Sequence, residues 1–345
     1  MCSDDTQSQS DLSRTEILDA KVWELEERLV RNPDDEIAAR GLVTILDYHL
    51  PGKQGVGAFT DCQRMIADQY RNSDWSSKLL NLEEVVRHYS RWQSDLDAMN
   101  VRTSIAIGQL FVGNFIAING AEVYCSQFLA LFKKEEIIPN ICHDCFKVQI
   151  LPHNLSAFIQ TYFVIKGLKL PRDNARKCMI ELREDVKYPY KGYIYCESEN
   201  EVEFCLMQIQ SAFRKFGVSN VHCGISHGCS EYALRYPKFK YSQDGSHRSF
   251  ERPESWSKTD SQLLSSIQKR KRNRVDHNKQ GISIRDIIGF QTWIKYAAII
   301  GDETCKLFVD TPTATTSRFF AARVGKQAEL RKTELEELQE MPSFD

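Results

Sequence analysis

The residues of this chain best suited to chemistry are thiols. Cys142-His143-Asp144-Cys145 is a Cys-x-x-Cys run, a spacing that lets two thiolates converge on one ion at about 2.3 Å each. Such a pair is half of a tetrahedral site. Cys178 and Cys196 supply a candidate second half, because they fall symmetrically about position 187 of an expected antiparallel hairpin. Residues directly opposed in a hairpin carry Cβ atoms about 4.5–5.5 Å apart. The two also share an alternation phase, Cys178 with Ile180 and Leu182, Cys196 with Ile194. The spacing therefore predicts a metal site of Cys142, Cys145, Cys178 and Cys196. His222-Cys223-Gly224-Ile225-Ser226-His227-Gly228-Cys229 is a competing second half, with Cys229 in a turn and His227 behind it.

Four thiolates leave no open coordination position, so the expected cofactor is a closed structural zinc, and an iron–sulfur cluster would use the same ligands. A redox dithiol fits less well. That motif follows a strand and opens a helix, whereas here a strand is expected after it. The plain alternative is packing: buried free cysteine behaves as a small hydrophobe. Cys62, Cys125, Cys205 and Cys305, each placed singly, are read that way.

Two further stretches could bind a ligand. Lys269-Arg270-Lys271-Arg272-Asn273-Arg274 is a basic hexamer that could meet phosphate, against the simpler reading of a solvated basic helix. Tyr188, Tyr190, Tyr193 and Tyr195 with Lys187 and Lys191 make an aromatic, basic hairpin able to stack a base or sugar, against the commoner role of ordinary strand aromatics. Tyr193 and Tyr195 are expected to share the face opposite the cysteines. No P-loop, G-x-G-x-x-G after a strand, G-x-S-x-G or H-E-x-x-H occurs.

The elements that position these residues follow from periodicity. Residues 1–13 are polar and read as a disordered tail. Ile17, Leu18, Val22, Leu25 and Leu29 recur at helical spacing, Asn32-Pro33-Asp34-Asp35 interrupts, and Ile37, Leu42, Ile45 and Leu46 resume. This αα-hairpin resembles one tetratricopeptide unit over about 35 residues. It lacks that repeat's Trp, Gly and Tyr positions, and no second copy follows. Residues 14–100 are therefore read as helical.

From 101 to 240 the chain changes character. Phe115–Ile118, Asn119-Gly120 and Ala121–Tyr124 form a hairpin signal with a type I′ turn. Phe146–Ile150 reads as a strand and Asn154–Lys166 as a helix closed by Gly167. Lys177–Arg183 and Lys191–Cys196 read as strands, Ser198 caps a helix ending at Gly217, and Val221–Ile225 is a third strand. This β-β-α-β order predicts an α+β sandwich with the helix on one sheet face. A Ser-, Asp- and Pro-rich linker spans 241–262, and helices fill 263–345, among them a strongly apolar one after Ser283.

Composition limits the function classes. The chain has 345 residues, a net charge of −2, 42% apolar and 27% charged residues, so no global charge draws it to nucleic acid or acidic lipid. The longest uncharged stretch, Thr103–Ala121, holds three glycines plus Gln109, Asn114 and Asn119 and does not suit a membrane span. Eleven cysteines without a secretory signal point to a reducing, cytoplasmic setting. The pattern reads first as a metal-stabilised binding or accessory protein, with a protein partner on the N-terminal helices. A metal- or thiol-dependent enzyme beside the cysteines and a nucleic-acid binder are the alternatives.

Overall fold

A computed structural model describes residues 14–32, 81–98, 115–118, 125–172, 174–266, 284–308 and 318–340, with single positions 35, 38, 41, 42, 45 and 282. The strands are β1 (Phe115–Ile118), β2 (Phe146–Pro152), β3 (Arg176–Ile180), β4 (Tyr190–Cys196) and β5 (Val221–His227). The helices are α1 (Arg14–Arg31), α2 (Leu82–Ala98), α3 (Cys125–Glu135), α4 (Asn140–His143), α5 (Leu155–Gly167), α6 (Glu199–Phe216), α7 (Ser230–Arg235), α8 (Trp256–Ser266), α9 (Ile284–Ile300), α10 (Arg318–Gly325) and α11 (Ala328–Glu340).

All strand pairings are antiparallel, in the order β1-β3-β4-β2-β5. The run β2-α5-β3-β4-α6-β5 is a split β-α-β arrangement, with β4 and β2 central and β1 added beside β3. The fold is thus α+β, as the sequence predicts. Phe115–Ile118 pairs with β3, while Asn119-Gly120 and 121–124 lie outside the described residues.

Alternation within the strands explains the layers. On one face stand Phe146, Val148, Ile150, Cys178, Ile180, Tyr190, Ile194, Cys196, Val221 and Cys223, all buried. Helices α5, α6 and α9 cover this face. A Cβ built on Gly192 would lie 3.0 Å from Ile165 of α5, and one on Gly289 of α9 would lie 2.6 Å from Ile116 of β1. Helix α6 starts where Ser198 accepts from the Glu201 amide at 3.2 Å and stops at Gly217, whose φ of 64° is left-handed. Its inner face is Val202, Cys205, Ile209 and Phe213, all buried. Helix α5 begins at Asn154, whose side chain accepts from Ala157 at 2.8 Å. Buried Asp302, just past α9, accepts from the Leu155 amide and the Tyr190 hydroxyl at 2.7 Å each, joining both helices to β4.

Two expectations are corrected here. Cys178 faces Gly192, not Cys196, so the β3–β4 hairpin is centred on position 185 rather than 187. The expected linker 241–262 carries a short 3-10 turn at Ser246–Ser249 and the start of α8.

A side chain at Gly192, on central strand β4, would meet Ile165 of α5 directly. The Gly192→Val variant should lose about 1–3 kcal/mol to overpacking against Ile165 and Ile150, read as a lower urea midpoint with an unchanged m-value. An unchanged midpoint would contradict this close packing.

Candidate functional site

The predicted thiols go to different sides of the sheet. Cys142 is buried in a small cluster with Phe128, Phe132, Ile138, Tyr232 and Phe239, where the Tyr232 hydroxyl donates to its Sγ at 3.6 Å. Cys178 and Cys196 are buried on the helix-covered face, and burial pushes the Cys178 thiol well above its ordinary range. Cys196 lies against Cys205 of α6, and that contact together with burial raises its pKa. Cys145 and Cys229 are half-buried and lie towards the opposite face, in the field of Lys147. His227, expected behind Cys229, uses both ring nitrogens on backbone: Nδ1 lies 2.8 Å from the Phe239 carbonyl and Nε2 2.5 Å from the His143 carbonyl. Its ring is stacked between Phe146 and Phe239, at 4.5 and 4.0 Å. Among the described residues no three His, Cys, Asp or Glu side chains gather as a metal site requires. The basic run Lys269, Arg270, Lys271, Arg272 and Arg274 lies outside the described residues.

The chemistry-bearing side chains that do gather are on the sheet face away from α5, α6 and α9. Ladder register sets them in rows. In one row Lys177 of β3, Tyr193 of β4, Gln149 of β2 and Gly224 of β5 lie side by side. In the next, Tyr195, Lys147 and Ser226 do the same. Where the helix-covered face is buried, this face is half exposed at Lys177, Gln149, Tyr193, Tyr195, His222 and Ser226.

The Lys147 ammonium lies 5.5 Å from the Tyr193 ring centre and 5.9 Å from that of Tyr195. Lys177 lies 5.6 Å from the Tyr193 ring. Such approaches let ring quadrupoles stabilise cations. Burial of Lys147 works against its charge, and only at the high pH where the facing Cys229, Tyr195, Cys145 and Tyr193 groups are anionic does their attraction outweigh it and raise its pKa. Burial raises the Tyr193 phenol to about 12, against the pull of Lys147, so the ring is neutral at physiological pH. Cys145 is likewise raised by burial, with Lys147 opposing, so it is a poor thiolate.

Of the tyrosine hairpin read from the sequence, Tyr193 and Tyr195 belong to this face. Tyr190 points into the core, and Lys187 pairs with Glu337 at 3.2 Å. Lys191 is 1% exposed and pairs with equally buried Glu181 at 2.9 Å. Arg183 grips the same carboxylate through Nε and Nη2, both at 2.8 Å, and reaches Glu231 of α7 at 2.7 Å. This network closes one end of the tyrosine row and fastens the chain leaving β5 to the β3–β4 connection. Sequence reading missed Lys147, Lys177, Gln149 and the Glu181–Arg183 pair. The polar positions alternating within Phe146-Lys147-Val148-Gln149-Ile150 were the visible signal.

Comparisons with known protein families, with curated proteins and with solved structures find no match to this chain. Among the described residues no helix is long and apolar enough to cross a membrane.

The ion network gives a pH signature. Burial alone would raise the Glu181 carboxyl, but Arg183 and Lys191 hold it down to about 2, from an ordinary 4.5. A carboxyl that binds its proton less readily when folded stabilises the fold above its unfolded pKa and loses that contribution as pH falls towards its folded one. The Glu181→Gln variant, which strands the Lys191 charge, should be about 3–5 kcal/mol less stable at pH 7. In urea titrations the gap to wild type should narrow from about pH 4.5 down to about pH 2; a gap independent of pH would show that Glu181 is not ionised in the folded chain.

Proposed function

We propose that this chain binds single-stranded nucleic acid, RNA foremost, on the sheet face that carries Tyr193 and Tyr195. One observation carries the reading. Two aromatic rings project from alternate positions of a central strand, with centres 6.3 Å apart, and lysine ammonium groups flank them. Stacking of a base on an aromatic ring contributes about 1–3 kcal/mol, and nearby cations neutralise phosphate.

The surrounding architecture supports this. RNA-recognition-motif domains stack two or three bases on the aromatics of a four-stranded antiparallel sheet. Their strand signature opens with Lys or Arg, Gly, then Phe or Tyr, with a second aromatic two positions on. Lys191-Gly192-Tyr193-Ile194-Tyr195 has that order. It departs in having Ile194 where a small residue is usual, and Lys191 is held in a buried ion pair. Contact with nucleic acid therefore rests on half-exposed Lys177 and the two rings, with buried Lys147 placed beneath the rings as a fixed positive charge. The basic run 269–274 offers additional phosphate contacts by its composition.

Fluorescence anisotropy with labelled single-stranded RNA and DNA 9-mers tests the proposal. Tyr193→Leu and Tyr195→Leu should each weaken binding about 5- to 100-fold, whereas Tyr193→Phe, which keeps the ring, should retain most of the affinity. Lys177→Ala should flatten the dependence of log K on log salt by about 0.7. Absence of binding to any single strand at low salt would remove the reading, as would affinity indifferent to both Leu variants.

A further inference from the structure

The row Lys177–Tyr193–Gln149–Gly224 is more specific than a stacking platform needs. Stacking is tolerant of sequence because every base has a π-face. Selectivity comes from hydrogen bonds to base edges, which in single strands are open on their Watson–Crick and Hoogsteen sides. Resting on the nucleic-acid reading above, we propose that Gln149 reads the edge of the base stacked on Tyr193, and that Gly224 provides the room for that edge.

The register places the groups for this. Gln149 lies directly opposite Tyr193 on one side and Gly224 on the other. Opposed Cβ atoms are about 4.5–5.5 Å apart, so a base over the Tyr193 ring extends its far edge over the Gln149 amide. Gln149 is half exposed, and its amide has no hydrogen-bond partner among the described residues. An amide left unpaired on a polar surface can offer both N–H donors and a carbonyl acceptor.

Beyond Gln149 the floor is open. A Cβ built on Gly224 would meet only the His222 ring nitrogen, at 3.8 Å. Strands are spaced about 4.8 Å apart. Tyr193 to Gly224 therefore spans two strand spacings, long enough for a purine lying across the row. Against the Hoogsteen edge of a purine, an amide with donor beside acceptor complements adenine, whose N6 amino group donates while N7 accepts, and not guanine, whose N7 and O6 both accept. The ligand chemistry this row fits is thus a single-stranded segment with adenine stacked on Tyr193.

Gly224→Val and two Gln149 variants test this with oligouridine 9-mers carrying one central A, G, C or U. Wild type should prefer central A by about tenfold, the discrimination of one good bidentate amide contact. Gln149→Ala should bring the central-A strand down to the level of the others. Gln149→Glu offers acceptors only and should move the preference to guanine, whose N1–H and amino group both donate. Gly224→Val, for which the strand has space, should weaken purine-containing strands more than all-uridine.

Discrimination unchanged in Gln149→Ala, or no base preference in wild type, would overturn the assignment of Gln149 while leaving Tyr193 stacking intact. Failure of wild type to bind any of the strands would overturn both readings together. Chemical-shift perturbation of the Gln149 side-chain amide on adding the central-A strand is a readout that a purely structural role would not move.

Discussion

The antiparallel ladder between β2 and β4 decides which side chains meet, because each strand has a period of two and a single register sorts every residue to one face or the other. With Val148 opposite Ile194 and Gln149 opposite Tyr193, the apolar set of both strands goes under α5 and α6, and the lysines, tyrosines and glutamine go to the other side. A one-residue slip would bury Lys147 and Gln149 under the helices and expose Val148 and Ile150. The core and the candidate site are therefore two faces of one constraint.

Helix packing holds that register. Gly192 lets α5 approach β4 closely, and buried Asp302 ties the start of α5 and the Tyr190 ring to the end of α9. On the far side, the Glu181, Lys191, Arg183 and Glu231 network fixes the end of the tyrosine row. Charges this deeply placed are costly unless fully paired. Here the Glu181 carboxylate meets two cations, and the lysine that the strand signature would offer to solvent is used inside the fold.

Much of the central domain was legible from local pattern. Caps at Asn154 and Ser198, the stop at Gly217 and the alternation of β2 and β4 lie within a few residues of the features they determine. That alternation also placed Tyr193 and Tyr195 opposite Cys178 and Cys196. The hairpin register was not legible, and with it went the predicted meeting of those two thiols. Between β3 and β4 the chain is shaped by distant groups: Arg331 of α11 donates to the carbonyls of Val186, at 3.0 Å, and Arg183, while Glu334 accepts from the Tyr188 amide at 2.9 Å. No local spacing records such partners. The lysines of the candidate site were passed over for a related reason, since their role depends on neighbours from three strands.

His227 gives the Cys142–Cys145 turn a physical character that its thiols suggested in another form. One imidazole, clasped between two phenylalanine rings, joins the His143 carbonyl to that of Phe239 and so bridges segments 84 residues apart from the ring to the turn. It acts as a noncovalent cross-link that closes a long loop of chain, a topological restraint assembled from side chain and backbone. Burial lowers the His227 pKa, and a neutral imidazole donates from one nitrogen only, so one joint is a hydrogen bond to a peptide oxygen and the restraint exists only where the fold holds ring and carbonyls together.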